Sequence, residues 1–190
     1  MNAQSTKAVA SASYGEQIGP DAVRFERLLP GPIERVWSYL VESDRRAQWL
    51  AGGKMEQRAG ASFELFFHHA SLSPEKVETP ERFKKYESGI SSQHRVLACE
   101  PPRLLTITWG GGKEEDDSEV TFELAPAGEK VRLTLTHRRL DGRKSMINVS
   151  GGWHTHLAVL EENLEGRTPP SFWTLFDGRE EEYERRFSGE

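Results

Sequence analysis

The sequence predicts an α+β domain in which a curved antiparallel sheet wraps one long C-terminal helix, with a helix pair after the first strand. Three observations predict it. Segments in which apolar residues alternate with polar ones fill the middle of the chain, which is the period of half-buried strands. Two short neighbouring stretches before them repeat apolar residues at helical spacing. Near the end, Met146, Val149, Trp153, Leu157, Leu160 and Leu164 advance by 3, 4, 4, 3 and 4 residues, a single apolar stripe on one helix.

Residues 1–20 are rich in Ser, Ala, Gln and Gly and carry no apolar run, so they read as a disordered leader without a secretory signal. Residues 23–29, Val-Arg-Phe-Glu-Arg-Leu-Leu, alternate as a strand that Pro30-Gly31-Pro32 ends. Pro32 suits the first turn of a helix, where a missing N–H costs nothing. Ile33, Val36, Trp37, Leu40 and Val41 then mark an amphipathic helix, and Ser43 or Asp44 caps a second short one running to Trp49 and Leu50. After Gly52-Gly53, Phe63, Leu65 and Phe67 share one face of a strand. Residues 71–86 turn polar, with Pro74 and Pro80, and form an inserted loop with one helical turn.

Strands follow at 91–99, 105–109, 120–124 and 131–137, the last two with the cleanest alternation, so one face of the sheet meets water. Gly110-Gly111-Gly112 and Pro126-Ala127-Gly128 are the turns between them. The long helix follows the Asp141-Gly142 turn. Its 20 or so residues span about 30 Å, enough to cross the sheet diagonally. The domain therefore runs over residues 21–166, and the tail, 167–190, offers Phe172, Trp173, Phe176, Tyr183 and Phe187 for docking on it.

At 190 residues the chain suits a single domain. A net charge of −5 opposes a nucleic-acid partner, which asks for a basic face. The lone cysteine, Cys99, excludes an intrachain disulfide and fits a cytoplasmic setting. No apolar run approaches the roughly 20 residues of a membrane span. The oligomeric expectation is a monomer or homodimer.

Several motifs carry a resemblance. Arg27-Leu28-Leu29-Pro30-Gly31-Pro32 is followed by Val36-Trp37 and Gln48-Trp49. Farther on come Glu100-Pro101-Pro102-Arg103-Leu104, Thr108-Trp109, the strands at 118–124 and 131–137, and Gly152-Trp153 with His156-Leu157. Together, and in this order, they resemble the START-like superfamily, also called helix-grip or SRPBCC. Within it they are similar to the group of the C-terminal domain of the activator of the 90-kDa heat-shock protein ATPase. The resemblance covers residues 23–166 and implies the helix-grip fold with a cavity between sheet and helix. Relatives bind lipids, sterols, polyketides or hormones, or act as cyclases. No catalytic motif belongs to the whole group, so none is carried over. The chain departs from the pattern in its 71–86 insertion and in His94, which stands where many relatives have glycine, and both changes fall at the cavity mouth.

The expected function is binding of a small hydrophobic molecule in an enclosed cavity, with Phe63, Phe67, His94, Trp109, His137, Trp153, His156 and Leu157 as the ligand-binding residues. His137 continues an inward-facing alternation, and its bland role is a hydrogen bond that pins the strand end. His156 lies beside the apolar stripe. Gly151 and Gly152 each cost the helix about 1 kcal/mol against Ala, which suggests that their space is needed. Gly152 would leave room beside Trp153 and Leu157.

No catalytic residue, metal ligand or cofactor is assigned. His154 and His156, two apart on a helix, diverge, whereas helical metal pairs use i and i+4. His68 and His69 on a strand face opposite sides. The Gly110–Lys113 region lacks a phosphate-loop spacing, residues 114–117 read as a solvated acidic loop, and Cys99 reads as a core hydrophobe. Two alternatives stand beside binding. One is a protein-interaction module acting on a chaperone ATPase through a surface that includes residues 172–176. The other is a cyclase or hydrolase using His137 or His156 as general base, which would need a second polar group within reach.

Overall fold

The computed structural model describes residues 13–110 and 117–187. Seven strands form: β1 (Glu16–Gly19), β2 (Ala22–Pro30), β3 (Ser62–Phe67), β4 (Ile90–Glu100), β5 (Leu104–Trp109), β6 (Ser118–Ala127) and β7 (Lys130–Arg138). They pair antiparallel in one sheet of order β1-β2-β7-β6-β5-β4-β3. The helix pair, α1 (Ile33–Val41) and α2 (Ser43–Arg46), follows the first long strand, and α3 (Gly142–Leu164) crosses the inner face. The tail adds α4 (Phe172–Phe176) and α5 (Arg179–Arg186). This is the α+β helix-grip arrangement.

Curvature is built into β4. Its first half, through Arg95, pairs with β3, and from Val96 it pairs with β5, with a register shift between Val96 and Ala98. An irregularity of this kind bends a strand and raises its twist. The inward side chains Val23, Phe25, Leu133, Leu135, Phe122 and Val120 are all buried. On α3, Met146, Trp153, Leu157, Leu160 and Leu164 of the apolar stripe are buried against them, with Val149 partly so.

Three expectations are corrected. Residues 13–20 are not a disordered leader: β1 pairs with β2 as Glu16↔Arg24 and Gln17↔Val23. Its side chains are mostly exposed, so its order comes from backbone bonds to the edge of β2 and left no apolar pattern to read. Residues 1–12 lie outside the described residues.

On β2 the period of two runs unbroken to Leu29, which puts Arg27 inside and leaves Leu28 52 % exposed. The buried guanidinium gives Nη1–H to the carbonyls of Ser13 and Glu26, and its Nε lies 3.4 Å from a carboxylate oxygen of Glu161 on α3. Period outweighs residue type because these partners receive the charge.

The second helix stops at Arg46 and continues to Leu50 only as hydrogen-bonded turns. Arg46, buried, donates to the carbonyls of Leu40, Val41, Ala51 and Gly53, and so ties the C-terminal carbonyls of α1 to the link before β3. Burial lowers its pKa to about 10.

The glycine pair divides. A Cβ on Gly151 would come within 3.1 Å of Glu180 Cγ and 3.3 Å of Phe176 Cε2, so this glycine admits the tail rather than a cavity. A Cβ on Gly152 would meet nothing within 4 Å.

The insertion holds 3₁₀ turns at His69–Ser71 and Glu81–Tyr86. It is tied to the tail at several points. Ser73 Oγ donates to the Pro169 carbonyl (2.7 Å), the Ser171 N–H donates to Glu75 (2.6 Å), and Arg82 pairs with Glu180. Phe83 stacks on Trp173 with ring centroids 5.0 Å apart. The Tyr183 hydroxyl accepts the Gly15 N–H, leaving its own hydrogen for His154 Nδ1 at 2.9 Å. Tail, insertion and N-terminal strand thus form one strap across α3. The expected turn at residues 111–112 and the acidic loop from 114 to 116 lie outside the described residues, as do residues 188–190. Among the described residues no helix is long and apolar enough to cross a membrane.

Candidate functional site

Strand alternation and the α3 helix bring seven of the expected residues into one series of ring contacts. Trp109 lies 4.8 Å from Trp153, 5.3 Å from His94 and 5.7 Å from Phe67 between ring centroids. Phe63 stacks on His94 at 5.5 Å, and Trp153 contacts His137 at 6.3 Å. His156 joins through Trp153 at 6.4 Å. Leu157, fully buried, sits in the core one turn after Trp153.

Hydrogen bonds decide what each imidazole can do. Trp153 Nε1–H donates to His137 Nδ1 at 3.0 Å, so the ring hydrogen of neutral His137 is on Nε2 and goes to Ser118 Oγ at 2.7 Å. The Ser118 hydroxyl in turn donates to the Trp109 carbonyl at 2.6 Å. Burial lowers the His137 pKa to about 3, which keeps the ring neutral. Both nitrogens are spent on holding α3 to β5, β6 and β7, so His137 has no lone pair for a substrate proton.

His94 is spent in the same way. Its Nδ1–H goes to the Thr108 carbonyl at 2.8 Å, and its Nε2 takes the Ser92 hydroxyl at 2.6 Å. The Arg95 N–H bonds Thr108 Oγ1 at 2.8 Å. These bonds bridge β4 and β5 where their ladder ends at Val96↔Ile107. Burial is the main cause of a lowered His94 pKa, with the bond to Thr108 opposing it.

His156 differs. Its Nδ1–H donates to the Trp49 carbonyl at 2.7 Å, joining α3 to the helix pair, and leaves Nε2 as an acceptor with no hydrogen bond among the described residues. Burial, reinforced by neighbouring His69, lowers its pKa to about 3. His69 makes no side-chain hydrogen bond among the described residues, and burial lowers its pKa to about 4. The two rings lie 5.5 Å apart, with Phe172 at 4.7 Å from His156 and 4.3 Å from His69. Trp173 stands 5.2 Å from His69, and its Nε1 is buried without a partner.

His69 is not among the residues the sequence singles out for a ligand, and Phe172 and Trp173 enter it only as tail-docking or partner-surface residues. The chain leaves β3 at Phe67, and a 3₁₀ turn then re-aims His69, so neither helix nor strand period applies to it. The loss of alternation after His68 was the available signal.

Between sheet and α3, Trp153 packs against Trp109 and Phe122, with ring centroids 4.8 and 5.9 Å away. A small apolar void lies beneath the helix pair, bounded by Leu40, Arg46, Trp49, Met55, Phe63 and Leu65 among others, with a volume of about 10 Å³. That is room for about one water molecule. Of the eight expected residues, Phe63 alone lines it. Gly152, half-buried and one helical turn before His156, is a position where a Cβ would meet nothing within 4 Å. Cys99 is half-buried, and burial pushes its thiol pKa up, away from a reactive thiolate. No group of three or more His, Cys, Asp or Glu able to hold a metal ion occurs among the described residues.

A curved sheet gripping a long helix, with an aromatic and imidazole wall between them, defines a START-like domain. Residues 30–165 match the model of the family described as "Activator of Hsp90 ATPase homolog 1-like protein", and the chain belongs to that family. It is similar to the solution structure of a protein encoded by a Bordetella parapertussis gene, at 52% identity over 93% of each chain and a TM-score of 0.78. It shares the fold of CalU16 from Micromonospora echinospora, at 23% identity over 88% of this chain and 89% of that one, with a TM-score of 0.62. It also shares the fold of a conserved protein of unknown function from Enterococcus faecalis, at 15% identity over 96% and 94%, with a TM-score of 0.67. No curated protein matches the chain.

Proposed function

We propose that this protein binds a small, largely apolar molecule against the wall formed by Phe67, Trp109, Trp153, His156 and Phe172. One observation carries the reading. His137 and His94 have both ring nitrogens hydrogen-bonded, whereas His156 and His69 keep unclaimed lone pairs inside an aromatic shell. A ligand group that bonds these nitrogens adds the net worth of a hydrogen bond, about 0.5–1.5 kcal/mol each. Apolar burial supplies the rest, about 25 cal/mol per Å² before ordering costs. Because Phe172 covers both imidazoles, entry is coupled to movement of α4. Native mass spectrometry and solvent extraction of the purified protein test this. An apolar compound that copurifies, or saturable binding of an environment-sensitive naphthalene dye, is expected, and the absence of both overturns the reading.

A second reading has its own support. The interior around Trp153 is closely packed, and Phe66 and Leu97 stand 46% and 39% exposed on β3 and β4, as in a module that meets a protein partner. The family description points to the 90-kDa heat-shock ATPase. No binding to that chaperone and unchanged ATP turnover in its presence would remove this reading.

A further inference from the structure

The geometry points to a polar subsite, built from His69, His156 and Trp173 and completed by the tail, that selects a ligand bearing a hydroxyl group over an apolar or an anionic analogue. The inference rests on the binding reading above and narrows its ligand class.

Donor and acceptor accounting leads there. His156 has given its Nδ1–H to Trp49, so Nε2 offers a lone pair only. A neutral His69 offers one N–H and one lone pair, neither engaged among the described residues. Trp173, buried, offers an N–H that has no partner. His69 stands between the other two rings, 5.5 Å from His156 and 5.2 Å from Trp173 between centroids. Depressed pKa values of about 4 and 3 keep both imidazoles uncharged at neutral pH.

A hydroxyl group donates one hydrogen and accepts another, so it can serve the His156 lone pair and the Trp173 N–H together. A hydrocarbon leaves both unpaired. A carboxylate can accept from Trp173 and His69, but it cannot donate to the His156 lone pair, and none of the three neutral rings offsets its charge. An ammonium only donates and leaves the tryptophan unanswered. Acceptor and donor also come from different parts of the chain. His156 is fixed by α3 and the helix pair, whereas Trp173 is delivered by α4, held down by Phe83 and by the Ser73–Pro169 and Glu75–Ser171 bonds. The subsite is complete only when the tail is docked, which gives the insertion and the tail a shared task.

The test is calorimetric titration of the full chain with three probes of one size: 2-naphthol, naphthalene and 2-naphthoate. A site built to bond a hydroxyl rejects the analogue lacking it, so 2-naphthol is expected to bind at least about tenfold tighter than either other probe. Trp173→Phe and His156→Phe keep ring volume and remove one partner each. Each is expected to weaken 2-naphthol about tenfold while leaving naphthalene within about twofold. Equal affinity for 2-naphthol and naphthalene, tighter binding of 2-naphthoate, or equal losses for all probes in the folded Trp173→Phe variant would overturn the subsite and leave the binding reading standing. Failure of all three probes to bind overturns both.

Discussion

The two ends of the aromatic wall bury the same kind of side chain and treat it in opposite ways. Toward β5, β6 and β7, His137 is locked by Trp153 and Ser118, and His94 by Thr108 and Ser92. Toward the strap, His156 is held at one nitrogen and His69 at neither. A buried polar group with every valence met is a fastener, and one with a valence left over in an apolar shell is a place for something else to bind. Imidazole burial alone does not separate the two cases. Hydrogen-bond accounting does.

The largest expected effect is acid sensitivity. His69, His137, His154 and His156 have folded pKa values of about 4, 3, 3 and 3, below the ordinary 6.5. The unfolded chain therefore takes up protons first as pH falls. Stability is fully present above about pH 6.5 and is lost progressively toward pH 3. Urea midpoints measured at steps from pH 7.5 to 4 should fall continuously, and a flat profile would mean that these rings are not buried neutral.

The next effect breaks the comparison directly. His137→Leu removes a partner from both Trp153 and Ser118 and should cost about 2–4 kcal/mol in chemical denaturation. His69→Phe replaces an imidazole that holds no bond and should change stability by less than about 1 kcal/mol. Equal losses in the two variants would erase the distinction between fastener and site.

The glycine pair gives the smallest effects, of opposite sign. Gly151→Leu drives side-chain atoms into Glu180 and Phe176, so it should cost about 1–3 kcal/mol and loosen the tail to protease. Gly152→Ala meets open space and should gain about 1 kcal/mol from helix propensity, read as a raised thermal midpoint.

The sheet and its helix were legible in the sequence because burial on one side imposes period two on strands and period 3.6 on helices. The same logic placed Phe63, Phe67, Trp109, His137 and Trp153 on the inner face, while His94 came from the family resemblance. It was blind to β1, whose order comes from backbone pairing, and it made no assignment for Arg27, where period and charge disagree. His69 and Trp173 lie on a 3₁₀ turn and a five-residue helix, too short to show any period. Which histidines have spare lone pairs depends on partners far off in sequence, such as Trp49 for His156, 107 residues away. The glycine pair signalled a need for space, but only coordinates separate Gly151, which admits the tail, from Gly152, where a Cβ would meet nothing within 4 Å.

The central claim is that the strap end of the wall receives a ligand and the sheet end does not. Long-range proton–nitrogen NMR spectra of the histidine rings test it most directly. Without ligand, His137 should appear as the Nε2–H tautomer and His156 as the Nδ1–H tautomer. On saturation with 2-naphthol, the His156 Nε2 resonance should shift while both His137 nitrogens stay in place. An unmoved His156, or a His137 that shifts as much, would contradict the account.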